Sequence, residues 1–490
     1  MSVARALLAV IALAACGKTN AYQCAASDQC VSNGMQGVCI ASFCAFGDSA
    51  CAGGLRYEPN AGDGLGGTCV PGVDGGSVCG AVGQACCASG SACVADTYCD
   101  GTCQSCIGDV AFGRRFGCVL KHDRTVWCSG ENAQGQLGFG IAGVPSAIPM
   151  EVRDTTSNPI SDATAIATGR EHACAVRANG SVWCWGLNTN GELGTGAAFP
   201  MPPATLPSQP KAVQVVTASG PLTGIVDIVG GYSHTCARDG NGGVWCWGSN
   251  IQGELGDGTT TQRNVAAPVL DAPAGAPVTG ALDLTAGAQT MCIHKAGAAV
   301  WCWGSNLDGE FGDGTKTSHP SPQLLATSAS VGTGMWHVCY VNADTTITCA
   351  GWNGHARLGT GSGGGYWDGD HTTPSQVVGA PGGAAFNGVA KVIAGGETCA
   401  IMLDTSVYCW GDNAYGQIGT GEGENVPAKV RFADGTPLTG VDRLVAHWAH
   451  VCAHETTGTW VCWGRNTEGE FGDTTFINHG LPTPLPVTCP

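Results

Sequence analysis

From about residue 107 onward, short apolar runs rich in Val, Ile, Ala and Trp alternate with turns rich in Gly, Asp and Asn. One stretch shows the unit clearly: Ile228-Val229-Gly230-Gly231-Tyr232-Ser233-His234-Thr235-Cys236-Ala237-Arg238, a polar turn over 239–243, then Val244-Trp245-Cys246-Trp247-Gly248-Ser249-Asn250. Runs this short, β-branched and aromatic, bounded by Gly-containing turns, predict β-hairpins, and no helical period competes with them. The unit recurs. Cysteines ten positions apart mark seven copies: Cys118 and Cys128, Cys174 and Cys184, Cys236 and Cys246, Cys292 and Cys302, Cys339 and Cys349, Cys399 and Cys409, and Cys452 and Cys462. Successive copies start 56, 62, 56, 47, 60 and 53 residues apart, the period of stacked supersecondary units. The chain is therefore expected to be all-β.

The spacing also predicts a register. In the second copy a three-residue loop at Ala178-Asn179-Gly180 pairs Arg177 with Ser181, Val176 with Val182, Ala175 with Trp183, and Cys174 with Cys184. Directly opposed antiparallel residues have Cα atoms roughly 4.5–5.5 Å apart, within disulfide reach. One register serves all seven pairs, so each hairpin is expected to carry a cross-strand bridge; a buried free thiol is the alternative.

Composition alters the picture in two ways. The 490 residues include 78 glycines and only 12% charged side chains, as many short strands and turns require. With 21 Lys+Arg against 38 Asp+Glu the formal charge is −17 and no basic run occurs, so nucleic acid is not an expected partner. At the N-terminus Arg5 precedes an apolar stretch over 6–12 and then Leu13-Ala14-Ala15-Cys16-Gly17. The stretch is too short to span a bilayer and reads as a signal-peptide core over residues 1–15. Leu13-Ala14-Ala15-Cys16 resembles the lipobox of bacterial lipoproteins, which implies lipidation at Cys16, contact with the membrane through that anchor only, and, with Lys18 rather than an aspartate two residues on, an outer-membrane location. An incidental cysteine at a small-residue cleavage site is the competing reading.

Export makes disulfides the natural role for 29 cysteines. Residues 16–105 hold many Cys, Gly, Ala and Ser and few periodic apolar runs, as a small disulfide-rich segment of two modules would, split by a linker at Pro71-Gly72-Val73-Asp74-Gly75-Gly76. Cys103-x-x-Cys106 has zinc-ligand spacing, but no second pair with histidine partners accompanies it, so no metal is expected.

Over residues 106–490 the copies resemble the regulator-of-chromosome-condensation repeat family. The match runs through Gly169, His172, Cys174, Trp185, Gly186, Asn188, Gly191, Leu193 and Gly194 in the second copy, and through Gly231, His234, Cys236, Trp247, Gly248, Asn250, Gly253, Leu255 and Gly256 in the third. The resemblance implies a seven-bladed β-propeller. It also implies that Leu485-Pro486-Val487-Thr488 completes the first blade beside residues 110–118, bringing Cys489 near Cys103 or Cys106 to lock the ring. Blade-to-blade packing is the expected role of the tryptophans, ahead of sugar stacking or light absorption. The histidine position reads Phe116, His172, His234, Thr290, His337, Glu397 and His450, so no complete metal-binding ring is expected.

Neither catalysis nor a cofactor is expected. The chain has no Gly-x-Ser-x-Gly, His-Glu-x-x-His or Walker loop, and Asp368-Gly369-Asp370-His371 reads as a solvated loop sooner than a cation site. Nucleotide exchange on the GTPase Ran, known in the family, is fold analogy only for an exported chain. The two positions before the histidine site vary most, and the resemblance gathers these loops on one face. Arg114, Arg115, Arg170, Glu171, Tyr232, Ser233, Met335, Trp336 and Trp448 are therefore the expected surface for a protein or glycan ligand. A structural envelope module without a ligand, or a secreted-type enzyme inhibitor, are the alternatives.

Overall fold

Each Gly-containing turn reverses the chain where the spacing requires it. In the second copy Gly180 takes φ 75° and Asn179 Oδ1 accepts the Ser181 amide at 3.0 Å, a geometry few other residue types tolerate. The strands on either side then meet in the predicted register: Ala175 opposes Trp183 and Cys174 opposes Cys184. The computed structural model describes side chains from Cys106 to Leu485, apart from residues 202–204, 363–364, 366–368 and 421–424. Before Cys106 it describes only the backbone of short strands, among them an antiparallel sheet of Val38–Ile40, Phe43–Gly47 and Leu55–Tyr57. Contacts divide the chain into units of residues 1–104 and 105–490. The signal peptide, Cys16, Asp368, Cys489 and the N-terminal cysteine side chains lie outside the described residues.

Seven antiparallel sheets follow one another along the second unit and build a seven-bladed β-propeller. Blade 1 consists of Ile107–Phe112, Phe116–Lys121, Val126–Gly130 and Ser146–Glu151, ordered from the axis outward. Blades 2 to 6 repeat this order over residues 163–214, 225–268, 283–327, 330–376 and 389–429, and blade 3 adds a small hairpin at its outer edge. Blade 7 consists of Val441–His447, His450–Glu455, Trp460–Gly464 and His479–Pro484.

Each blade carries one disulfide between its two middle strands, in the expected pairing. Cys118 is bonded to Cys128, Cys174 to Cys184, Cys236 to Cys246 and Cys292 to Cys302. Cys339 is bonded to Cys349, Cys399 to Cys409 and Cys452 to Cys462. The free-thiol alternative therefore does not hold for any of the fourteen. One quantity differs: the Cα atoms are 4.0–4.2 Å apart, closer than the expected opposed-strand range. Arg177 N donates to Ser181 O, and bonded and non-bonded pairs alternate along a ladder, so Cys174 and Cys184 fall on the closer, non-hydrogen-bonded kind.

Blade 1 has its four strands without a C-terminal one, while residues 486–488 and Cys489, on which the expected closure rests, lie outside the described residues. All four come from residues 107–151. The Pro-rich segment His479–Pro484 is instead the outer strand of blade 7, and the Leu485 amide donates to Trp460 O of the same blade. Proline is tolerated there because the outermost strand has an unpaired edge. Blades 7 and 1 meet through side chains and loops: Arg443 pairs with Asp109 at 2.7 Å, His447 Nδ1 donates to Phe112 O, and Thr474 N donates to Ala147 O at 3.2 Å. Cys106 is disulfide-bonded to a cysteine outside the described residues.

The apolar core lies between blades, with one cluster at each of the seven seams. Five seams are centred on the second aromatic of the Trp-Cys-Trp-Gly segment: Trp185, Trp247, Trp303, Trp410 and Trp463 are each 0% exposed. Every one of these indoles donates Nε1–H to a backbone carbonyl of the preceding blade, at Gln136, Glu192, Glu254, Arg357 and Gln417, over 2.8–3.0 Å. At the closing seam Ser129 Oγ makes the same bond to Glu470 O at 3.0 Å.

The accepting residues also shape the long loops that precede each outer strand. Gln136, Glu192, Glu254, Glu310, Gln417 and Glu470 are at most 2% exposed, and each side-chain oxygen accepts the amide two residues earlier at 2.7–2.9 Å. Burial, reinforced by Asp308, pushes the Glu310 carboxyl up to about 7.

Two outcomes follow from this architecture. Replacing Cys174 and Cys184 together by Ala is expected to lower unfolding free energy by at least about 2–3 kcal/mol, measured by urea denaturation, while peptide mapping without reduction recovers the other six bridges intact. For Glu310, the unfolded chain ionises near 4.5 while the folded chain keeps its proton to about 7, so this residue costs stability progressively between those values and fully above them. Glu310→Gln, which copies Gln136 and Gln417, should therefore raise stability on the order of 3 kcal/mol at pH 8 and leave it unchanged near pH 4; melting curves across that range decide.

Candidate binding face at the end of the central channel

The loop joining each inner strand to its neighbour reaches the propeller axis, and its backbone is not free. Arg114 N donates to Arg170 O at 3.0 Å, Arg170 N to Tyr232 O at 3.2 Å, and Tyr232 N to Ala288 O at 2.7 Å. Ala288 N continues to Gly334 O, Met335 N to Gly395 O, and Gly396 N to Trp448 O at 2.7 Å. These bonds carry a belt from blade to blade around one end of the channel. The outer loops are tied to it in turn, since Glu131 N donates to Arg115 O, Trp352 N to Trp336 O and Arg465 N to Ala449 O.

Within the belt the expected residues separate into groups. Tyr232 and Trp448, from blades 3 and 7, meet over the axis with ring centroids 5.3 Å apart. Arg170 lies over the Tyr232 ring at 4.6 Å and Arg114 over Trp448 at 6.0 Å, giving a cation–ring–ring–cation stack. Met335 packs beside Tyr232 and Trp448. The channel is thus plugged at this end, and a cavity of about 330 Å³ lined by the inner strands lies along the channel. Trp448 holds φ 58°, a left-handed backbone that is rare for a bulky aromatic and costs about 1–3 kcal/mol. Trp336 stands in a second group, edge-on to Trp352 at 5.1 Å, with the buried Arg357 guanidinium 4.4 Å from Trp352 and 5.3 Å from Trp336. Arg115 turns outward to Glu131 at 3.9 Å. Ser233 takes part through its carbonyl, which accepts Ser249 N.

Charge on this face is mixed. Burial holds the Glu131 carboxyl above the usual range against the pull of Arg115, with Glu171 and Glu468 adding to the rise. Glu171 Oε1 lies 3.2 Å from Arg170 Nε but out of hydrogen-bonding alignment. Arg115 Nε, Arg170 Nε and the Trp448 indole N–H are buried atoms that make no hydrogen bond.

The histidines serve the seams. His172 Nε2 bonds Thr235 Oγ1 at 2.8 Å and His337 Nε2 bonds Thr398 Oγ1 at 2.7 Å, each across to the next blade, while His234 Nε2 faces Met291 Sδ at 3.0 Å. Burial pushes His172 down to about 3 and His234 to about 4. Glu397, fully buried in the same position in blade 6, has no partner for either oxygen, and burial raises its carboxyl well above the usual range. Asp370 pairs with Lys316, and His371 Nδ1 bonds Ser375 Oγ at 2.6 Å.

Trp352, Arg357, Tyr415 and Arg465 belong to this face and were not among the expected residues. Arg465 lies 5.2 Å over the Tyr415 ring. A usable signal was present: the residue between Gly and Asn in the Trp-Gly-x-Asn segment reads Glu131, Leu187, Ser249, Ser305, Trp352, Asp412 and Arg465, as variable as the axial loops.

Comparison with known proteins accords with this geometry. Models of the regulator of chromosome condensation (RCC1) repeat match residues 123–176, 179–238 and 404–453, and a second model of the same repeat matches 163–192 and 225–254. The ultraviolet-B receptor UVR8 of Arabidopsis thaliana is 27% identical over 367 residues, covering 73% of this chain and 76% of the receptor. The human E3 ubiquitin-protein ligase HERC2 is 25% identical over 347 residues, 69% of this chain but only 7% of the ligase. Among solved structures, human WBSCR16 superposes with a TM-score of 0.57 at 18% identity, covering 74% of this chain and 93% of the other. Prp20p of Saccharomyces cerevisiae gives 0.56 at 18% identity, covering 73% and 85%. The chain thus carries regulator of chromosome condensation (RCC1) repeats and folds them into a seven-bladed β-propeller.

Proposed function

We propose that this propeller is a binding module whose axial-loop face captures a protein partner, without catalysis. One observation carries the reading: Arg115 Nε, Arg170 Nε and the Trp448 indole N–H make no hydrogen bond within the chain, the two arginines meeting Glu131 and Glu171 only in long or poorly aligned pairs, and all three are set among Arg–aromatic stacks on a backbone already locked from blade to blade. A buried donor left without an acceptor costs about 1–3 kcal/mol, which a partner's carbonyl or carboxylate would recover. Arg, Tyr and Trp are the residue types that dominate interface energetics, and a locked backbone loses little freedom on binding. Relatives of the same fold support a protein partner, since yeast RCC1 (Prp20) has been solved with Kap60 bound to it. A glycan would use the aromatic faces but not so many charged donors.

The lipobox-like Leu13-Ala14-Ala15-Cys16 supports a lipid anchor at Cys16, with the cysteine-rich segment as a stalk between membrane and propeller. In this reading the face works outside the cytoplasm, on the outer membrane, where seven disulfides are an advantage.

The test is a cross-linking pull-down from the native envelope, run in parallel with the wild-type chain and an Arg115→Ala, Arg170→Ala, Trp336→Ala variant. The variant should lose the specifically captured partner at least about tenfold while its melting temperature stays close to wild type. Undiminished capture would reject this face, and no specific capture by either chain would favour a structural module.

A further inference from the structure

The lining of the central channel changes character between its two ends. At the end away from the axial loops, one residue of each inner strand pairs with the residue two after the first cysteine of its blade. In blades 1, 3 and 4 that residue is Asp109, Asp227 and Asp283, opposite Leu120, Arg238 and His294. Blades 6 and 7 place Lys391 and Arg443 there, blade 5 places Ser330, and blade 2 only Ala165. Residues at one register position lie at one level of the ring, so this mouth carries an acidic arc and a shorter basic one. The position with only a methyl group falls inside the acidic arc, between Asp109 and Asp227.

Two residues further along each strand, on the same face, the charge is gone. The level opposite the first cysteines reads Ala111, Ala167, Val229 and Thr285 in blades 1 to 4, and Ile393 and Val445 in blades 6 and 7. All six line the cavity of about 330 Å³, as do Asp109, Ala165, Asp227 and Arg443. Beyond them the Tyr232–Trp448 contact closes the channel. The cavity is thus an apolar well with a charged mouth.

The basic groups at the mouth are engaged. Arg443 Nη2 lies 2.7 Å from Asp109 Oδ1, and Lys391 Nζ donates to Asp442 O at 3.3 Å. The carboxylates are less fully matched: Asp109 accepts both Arg443 and Val110 N through Oδ1, and Asp227 Oδ2 meets Arg238 in a long contact of 3.4 Å. Burial pushes both carboxyls up against the pull of Arg443 and Arg238, and Asp227 adds to the rise at Asp109 as Asp283 does at Asp227. Carboxylates that repel one another across an empty position favour a positive charge between them.

We infer that the channel is a binding site for a small organic monoamine, its ammonium beside Asp109 and Asp227 over Ala165 and its apolar body in the well. A second charge on the body would be stranded at the uncharged level. A ligand of about ten non-hydrogen atoms suits a volume at the lower end of small-molecule sites. The site does not rest on the proposed capture of a protein by the axial-loop face.

Fluorine NMR of 4-fluorophenethylamine titrated with the full chain tests the inference. A single saturable site with a dissociation constant on the order of 0.1–1 mM is expected for a ligand of this size. The matching alcohol, 4-fluorophenethyl alcohol, has the same shape without the charge and should bind at least about tenfold more weakly. Ala165→Lys, which puts a tethered ammonium into the gap, should weaken amine binding at least about tenfold, and Asp227→Asn about threefold to tenfold. Ala167→Leu narrows the well one level deeper and replaces Ala165→Lys if that variant does not fold. Equal affinity for the alcohol, unchanged affinity in the variants, or no saturable binding at a few millimolar would overturn the assignment.

Discussion

A buried indole N–H donating to a carbonyl of the preceding blade is the contact that sets one blade upon the next. Each such tryptophan removes roughly 150–250 Å² from water, about 4–6 kcal/mol by area as an upper bound, and the hydrogen bond fixes where along the seam that area is buried. The five seams with Trp185, Trp247, Trp303, Trp410 and Trp463 share this arrangement. The two exceptions are informative. Ser129 keeps the hydrogen bond without the ring at the closing seam, and Ala350 keeps neither at the seam of blades 4 and 5.

The same contact positions the candidate face. The carbonyl that receives the indole belongs to a residue such as Glu254, whose side chain gathers its own loop through Gln252 N and reaches Gln289 in the axial loop of the next blade at 3.1 Å. Outer loops begin with an amide bonded to the axial loop of the same blade. Seam, outer loop and axial loop therefore form one connected path, and the belt of axial backbone bonds joins such paths around the ring. This rigidity holds Trp448 in a left-handed conformation and leaves Arg115 Nε, Arg170 Nε and the Trp448 indole N–H without hydrogen bonds, although Arg115 and Arg170 lie beside the Glu131 and Glu171 carboxylates. Strain and unused donors at one place are what a preorganised recognition surface retains at some cost in stability.

Much of this was legible in the chain. A ten-residue cysteine spacing around an Asn-Gly turn dictates the hairpin register, and Cys174 opposite Cys184 is where that arithmetic puts it. Seven copies, the packing role of the buried tryptophans and the gathering of Arg114, Arg170, Tyr232 and Trp448 at the axis could also be read from the sequence. Three features could not be read in the same way. Outer strands such as His479–Pro484 carry prolines because one edge is unpaired, so they lack the apolar alternation that identifies inner strands, and nothing in the apolar pattern marks Ser146–Glu151 as the fourth strand of blade 1. The axial belt is made of backbone groups, which leave no side-chain signature. The seam of blades 4 and 5 lacks its indoles because blade 5 carries Thr348 and Ala350 in their place, a departure from the repeat that leaves no periodic signal of its own.

Exchange of the tryptophan indole protons is the most direct measure of whether these bonds hold the ring. In the chain labelled with ¹⁵N-tryptophan, the Nε1–H groups of Trp185, Trp247, Trp303, Trp410 and Trp463 should exchange with deuterium far more slowly than those of the half-buried Trp127, Trp183, Trp245 and Trp301, and only on global opening. Exchange of the five at the same rate as the half-buried four would show that the seams open without unfolding, and would contradict the account.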